Sequence, residues 1–270
     1  MFPGFAQGLK KKSQQNNSLH DDEARWRQFQ YWYASKLGKR LLKSEKRVLE
    51  QCLPDLFGYY LLQCGCPEIQ AEKVPGNWLK SSRVSSQICL DYFYNQEVSC
   101  QAQPTQLPMK SDSLDIVVLP HVLEFSSAPH QILREAERVL IAEGHVVILG
   151  FNPWSFWNIF RMFLFWTKQA PWNAQFFTAS RVMDWLALLG FDVIQRKGYF
   201  YRPPIHHNNA IKKMGFLDKL GQRFWPNLGA GYVLVARKRV ETLTPIRPRW
   251  RSRRQVLAGG LESMNRKKCE

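Results

Sequence analysis

The sequence predicts an α/β fold built on a mostly parallel sheet, and three observations carry that prediction. The stretch from Ser111 to Gly150 reads as strand, loop, amphipathic helix, turn and strand, the pattern of a right-handed βαβ crossover. A capped helix and strand over Phe177–Gln195 and a further apolar run over Gly231–Lys238 supply more of the same two alternating periods. The length of 270 residues, with 45% hydrophobic and 22% charged residues, suits one substantial core with decorations.

Each element has its own local reason. Residues 1–20 are polar and read as a disordered N-terminus. Residues 21–53 carry apolar and aromatic positions on one helical face and Lys or Arg on the other, and are expected to form two helices broken near Gly38. Phe57 to Gly65 is the first expected strand, and Val98 to Gln103 a later one. Between them, the segment from Ala71 to Leu90 puts no acid at a convincing strand end, Asp91 being the nearest. Leu114, Ile116, Val117, Val118 and Leu119 form a β-branched run of the kind buried on both faces of a parallel sheet, which Pro120 ends. Ser126, Ser127 and Pro129 start a helix. Its apolar positions Ile132, Leu133, Ala136, Val139 and Leu140 recur at helical spacing, with Arg134, Glu135, Glu137 and Arg138 outside. Glu143-Gly144 turns the chain into the strand His145–Leu149. Thr178 or Ser180 caps a helix with Val182, Trp185, Leu186 and Leu189 on its buried face, and Gly190 ends it before the strand Phe191–Gln195.

Taken in order and spacing, several strings resemble a known family. They are Leu107-Pro108-Met109 followed by Ser113-Leu114-Asp115-Ile116-Val117, the loop Val122-Leu123-Glu124, the helix Leu133-Arg134-Glu135…Arg138-Val139-Leu140, and Gly144…Ile148. Together they resemble class I S-adenosylmethionine-dependent methyltransferases of the type 11-like kind. Gly150-Phe151-Asn152-Pro153 and the lead-in Ser35-Lys36-Leu37-Gly38-Lys39-Arg40-Leu41-Leu42 narrow the resemblance to a bacterial subgroup with a degenerate glycine-rich motif. The resemblance implies a Rossmann-like three-layer αβα sheet, mostly parallel, closed by a C-terminal antiparallel hairpin and preceded by N-terminal helices. It divides the chain into a helical cap at 21–56, a methyltransferase-like domain at 57–238 and a basic disordered tail at 239–270. The domain would hold an aromatic insertion at 151–176 and a loop insertion at 198–230.

The same resemblance implies S-adenosylmethionine as cofactor and a methyl group as cargo. The family's G-x-G-x-G loop corresponds to Gly65-Cys66-Pro67-Glu68-Ile69, where only the first glycine remains and Pro67 removes an N–H. Gly65 and Cys66 would bring backbone to the cofactor. Gln103 stands where the family has an acid that contacts adenine, and its amide carbonyl can still accept that hydrogen bond. Leu107 would lie near the ring. Pro120, His121 and Glu124 would face the methyl-transfer site. His121 is the one candidate base there, and a pocket-lining imidazole is the other reading of it. Methyl transfer asks mainly for alignment of nucleophile and methyl group, so no triad or metal set is required. His206 and His207 have no Cys or acid partner at ligand spacing and read as loop histidines.

Charge and composition narrow the partners. The net charge is +16, and residues 237–270 hold eleven Lys or Arg against three Glu, half of that excess. Ser111–His145 runs the other way, with six acids against two arginines. A tail containing Arg-Pro-Arg-Trp-Arg-Ser-Arg-Arg can neutralise phosphates, rest on an anionic membrane surface, or remain a solvated extension. The segment Trp154–Trp166 is aromatic and reads as a lid, an interfacial helix or core packing. No run approaches the roughly 20 apolar residues of a membrane span, and the N-terminus lacks a signal-peptide core, so a cytoplasmic protein is expected. The six cysteines show neither disulfide nor zinc spacing. The functional expectation is methyl transfer to a small-molecule acceptor. The alternative is a methyltransferase-fold protein that has lost chemistry and binds RNA or an anionic surface through its tail.

Overall fold

The computed structural model describes residues 20–72, 79, 81–93, 98–164, 170–202, 221, 223–225 and 228–239. Seven strands form one sheet: β1 (Tyr60–Cys64), β2 (Ser86–Asp91), β3 (Cys100–Gln101), β4 (Leu114–Pro120), β5 (Leu140–Phe151), β6 (Phe191–Tyr199) and β7 (Gly231–Lys238). Their order is β3-β2-β1-β4-β5-β7-β6. Neighbours from β3 to β5 pair in parallel, whereas β7 runs antiparallel to both β5 and β6. This is the mostly parallel sheet that the sequence predicts, closed by the C-terminal hairpin that the family resemblance implies.

The helices are α1 over 20–33, α2 (Lys36–Cys52), α3 (Ile69–Glu72), α4 (Val122–Phe125), α5 (Pro129–Val139), α6 (Phe156–Leu164) and α7 (Ala179–Leu188). The N-terminal pair breaks at Ala34-Ser35 rather than at Gly38. Ser35 caps α2 by accepting the Gly38 N–H at 3.1 Å, satisfying one of the first-turn donors that a helix leaves open. Gly38 is set by space: a Cβ there would stand 2.5 Å from Tyr33 Cα and 2.6 Å from the Trp32 carbonyl oxygen.

The central strands are apolar because both faces are covered. Leu61, Leu62, Ile116, Val117 and Leu119 are fully buried, and Ile132, Leu133, Ala136 and Val139 of α5 pack inward as their spacing predicts. Asp115 fixes the start of β1 against β4, its Oδ2 accepting the N–H groups of Tyr59 and Tyr60 at 2.9 Å each. Several elements differ from the sequence reading. β1 is shorter than 57–65, β3 shorter than 98–103, and β6 runs on to Tyr199. β5 begins at Leu140, with Glu143 at φ 63° inside it, and its register on β4 shifts between Leu114 and Ile116.

In the aromatic stretch, Trp157 is fully buried against Trp32, Phe151 and Trp172, whereas Trp154 and Phe156 are exposed. Among the described residues no helix is long and apolar enough to cross a membrane. Of the disordered N-terminus expected at 1–20, all but His20, which opens α1, lies outside the described residues, as do the His206-His207 pair and, apart from Arg239, the basic tail expected at 239–270.

The Gly38 contact gives a test of the α1–α2 packing. Because the atoms in the way are backbone, Gly38→Ala is expected to destabilise the chain by about 1–3 kcal/mol, the range of core overpacking. Urea unfolding of the two proteins measures it, and unchanged stability would show that the two helices are less closely apposed.

Candidate functional site

The strand order reverses between β1 and β4, and in open α/β sheets ligands bind outside the carboxyl ends of the strands at such a point. The chain leaves β1 through Gly65, which has φ +88° and no room for a side chain. A Cβ there would lie 2.7 Å from Val122 Cγ2 and 2.9 Å from the indole of Trp26. Backbone angle and crowding thus both require glycine. Its N–H donates to the Leu90 carbonyl at 2.7 Å, tying the loop to β2. Beyond it, Ile69 packs with Cys66, Cys89 and Val98 in a small apolar cluster of its own, the side chain filling space under the loop that a third glycine would leave empty.

β2 ends on Asp91, which corrects the sequence reading that put no convincing acid at a strand end. Its carboxylate is 1% exposed. Oδ1 accepts from Trp26 Nε1 at 3.0 Å and from its neighbour's Tyr92 N–H at 2.6 Å. Oδ2 accepts from Gln30 Nε2 at 2.8 Å and from the Cys66 N–H at 3.0 Å. Burial raises the Asp91 pKa to about 6, and N–H donors, those of Cys66, Trp26 and Tyr92 among them, hold it from going higher. Beside Asp91 opens a cleft of about 110 Å³ lined by Arg27, Gln30, Tyr31, Ile69, Gln70 and Phe93. The Arg27 guanidinium lies 4.1 Å over the Phe93 ring.

The two candidates on the β3 side sit in the loop leaving that strand. Ala102 donates to the Asp91 carbonyl at 3.0 Å, and half-buried Gln103 follows it, accepting the Gln106 N–H at 3.0 Å. Leu107 is buried, and its backbone is clamped from α5: Glu135 accepts its N–H at 2.9 Å and Arg138 donates to its carbonyl at 3.0 Å.

On the other side, Pro120 closes β4 and His121 turns the chain with φ 58°, a left-handed conformation in which His is enriched among non-glycine residues. Its imidazole is fully buried. Nε2 lies 2.9 Å from Glu45 Oε1, and Nδ1 lies 3.6 Å from Glu124 Oε1. Glu45 also accepts from Tyr33 at 2.8 Å and from Tyr199 at 3.2 Å, and Glu124 takes the Phe151 N–H at 2.7 Å. Burial alone would lower the imidazole pKa, but Glu45 and then Glu124 outweigh it and hold it up at about 9. The two carboxylates therefore favour the protonated ring. Phe29, Tyr33 and Phe151 surround it, with centroids 5.5, 6.4 and 4.2 Å away.

The structure thus brings Gly65, Cys66 and Asp91 together, with Pro120 and His121 reached through the Gly65–Val122 contact. Glu45, Trp26 and Gln30 are the residues that the sequence reading passed over, and Asp91 the one it named only as the nearest acid. Two of them left a trace. Glu45 lies on the face of α2 that buries Leu41, Leu42, Val48 and Leu49, and Gln30 lies on the face of α1 that buries Trp26, Phe29 and Tyr33. A polar residue at an apolar position of a helix signals a buried partner.

The fold is that of the class I methyltransferases, and comparison with known proteins agrees. Residues 82–148 match the family model described as a methyltransferase domain. Over 209 residues the chain is 34% identical to the Escherichia coli (strain K12) protein YafS, described as uncharacterized, covering 77% of this chain and 80% of that one. Among solved structures, it resembles a Thermotoga maritima S-adenosylmethionine-dependent methyltransferase described as a possible histamine N-methyltransferase. That likeness has a TM-score of 0.58 and 18% identity, over 80% of this chain and 100% of that one. It also resembles a chain from the complex of the Haloferax volcanii Trm112 methyltransferase activator with its methyltransferase, with a TM-score of 0.54, 13% identity and coverage of 80% and 98%. At such identities these two likenesses bear on the fold. The chain belongs to one family with YafS, its residues 82–148 match a methyltransferase domain, and its fold is that of the class I methyltransferases, whose cofactor is S-adenosylmethionine.

The His121 pair makes stability pH-dependent. A histidine whose folded pKa of about 9 stands above its ordinary 6.5 contributes stability that is complete below 6.5 and lost as pH rises through 9. The loss is on the order of 3 kcal/mol. Denaturant unfolding between these limits should show this decline in the wild-type chain and a flatter profile in His121→Gln. Parallel profiles would mean that the imidazole carries no such charge.

Proposed function

We propose that the chain transfers a methyl group from S-adenosylmethionine to a small-molecule acceptor at the β1–β4 switch point. The observation that carries this reading is the pairing of Gly65, at positive φ and with no room for a side chain, with the buried Asp91 carboxylate at the end of β2. That donor set fits the cofactor: a carboxylate can accept from both hydroxyls of a ribose, and a glycine lets backbone and ligand approach closely. When bound, S-adenosylmethionine supplies an electrophilic methyl on its sulfonium.

The chain's own groups then have separate tasks. Asp91 holds the sugar, and the backbone of Gly65 and Cys66 lies along the rest of the ligand. Gln103 offers an amide carbonyl to the adenine amino group, and Leu107 an apolar wall. Pro120 and His121 end the strand that faces the acceptor. His121 holds a proton at neutral pH, so its role is to line the site and keep Glu45 and Glu124 in place; it is not a proton acceptor in this state. Phe29, Phe151 and Trp157 make that side apolar and keep water out, which favours a small acceptor over an extended polymer. Alignment of the acceptor with the methyl group is then the main catalytic contribution.

Calorimetric titration with S-adenosylhomocysteine tests the reading. The folded chain should bind it, Gly65→Arg should lose binding, and Asp91→Asn should weaken it by roughly 10- to 100-fold, as for a lost hydrogen bond to a charged group. Absence of binding at millimolar ligand, in the wild-type chain and in Trp26→Phe alike, would overturn it.

A further inference from the structure

Asp91 is already satisfied by the protein. A carboxylate offers about four acceptor positions, and four N–H groups take them here. Two are backbone donors, from Tyr92 and Cys66, which belong to the loops ending β2 and β1. The other two are side chains of α1: Trp26 Nε1 at 3.0 Å and Gln30 Nε2 at 2.8 Å. Residues four apart share one helical face, so a single turn delivers both. The same turn fills the remaining space. Indole carbons of Trp26 lie 2.9 and 3.0 Å from where a Cβ on Gly65 would stand. Gln30 also donates to the Cys66 carbonyl at 3.1 Å, and Arg27 covers Phe93.

We infer that α1 is a built-in competitor for the cofactor site, with Trp26 and Gln30 standing on Asp91 where the two ribose hydroxyls would bind. The inference rests on the S-adenosylmethionine reading of that site. Bound nucleoside replaces the two side-chain donors, while the two backbone donors stay. The mechanics are local. At its N-terminal end α1 is tethered by Asp22, whose Oδ2 accepts the Ser127 N–H at 2.7 Å and the Ser127 hydroxyl at 2.8 Å. At the other end the chain leaves helical geometry at Ser35, with φ −67° and ψ 163°. Releasing the tether and pivoting near Ala34-Ser35 withdraws Trp26 and Gln30, while Tyr33, beside the pivot, keeps its hydrogen bond to Glu45. Full burial of Trp26 and Phe29 holds the closed position when no ligand competes.

Two substitutions and one ligand test this. Trp26→Phe keeps an aromatic ring against Gly65 and deletes the competing N–H. Asp22→Ala cuts the tether without touching Asp91. In each, provided circular dichroism shows the native fold, S-adenosylhomocysteine should bind about tenfold more tightly than in the wild-type chain, the equivalent of one hydrogen bond removed from the closed state. Hydrogen exchange supplies a readout independent of turnover: amides of residues 22–33 should exchange faster when the ligand is saturating. Slower or unchanged exchange there, or no tightening in a folded variant, would overturn the inference while leaving the cofactor reading intact. No binding in any of the three proteins would refute the cofactor reading, and the competitor role with it.

Discussion

Two buried carboxylates, Asp91 and Glu45, govern how the N-terminal helices meet the sheet. A charge out of water is tolerated only when hydrogen-bond donors surround it. The difference between about 6 and the ordinary 3.8 for Asp91 makes its ionised form costly by on the order of 3 kcal/mol at neutral pH. Loop backbone supplies half of its donors, and α1 must supply the rest. Glu45 makes the same demand from the other side and is answered by Tyr33, Tyr199 and the His121 imidazolium. The position of α1 over the strand ends follows from these two requirements as much as from the apolar face of Trp26, Phe29 and Tyr33.

Those requirements also account for what could be read from the sequence. The β4–α5–β5 unit was legible because its residues obey local rules: β-branched runs buried on both faces, then a helix whose inner positions recur at 3.6 residues. The end of β2 was not, because Ser86 and Gln87 are exposed and Ile88 half-buried. Only its last half is core, so the strand lacks the apolar run that would have marked Asp91 as its terminal residue. Glu45 and Gln30 were hidden for a different reason. Their partners are 76 and 61 residues away in sequence, and no local period reports such pairs. Gly65, by contrast, was visible as the one glycine kept from the G-x-G-x-G loop that the resemblance implies, and its left-handed backbone angle explains why it is kept.

The eroded glycine motif takes on a different meaning once the loop is seen in place. Pro67 and Ile69 do not disturb the two contacts that matter at the loop's front, the Gly65 turn and the Cys66 N–H on Asp91. They act behind it, where Ile69 joins Cys66, Cys89 and Val98 in a cluster that anchors the loop against β2. Among the described residues α3 runs from Ile69 to Glu72, and Pro67, ahead of it, offers no N–H to a ligand. With the glycine motif reduced to Gly65, the proposed binding leans more on Asp91 and on backbone approach at Gly65.

That shift has a thermodynamic consequence. A site whose main polar handle is shared with the chain's own side chains has an apparent affinity reduced by the fraction of molecules in which the handle is free. If closure is favoured by about 1.4 kcal/mol, only about a tenth of the molecules are open and apparent affinity falls about tenfold. Weak cofactor binding would then measure the closed population of α1 and not the quality of the Asp91 site. The same term works in reverse. Any acceptor whose binding needs Phe29 moved away from His121 would pull α1 open and strengthen cofactor binding, although the two ligands touch different residues. Coupling of this kind needs no further element, because α1 packs against both Asp91 and His121.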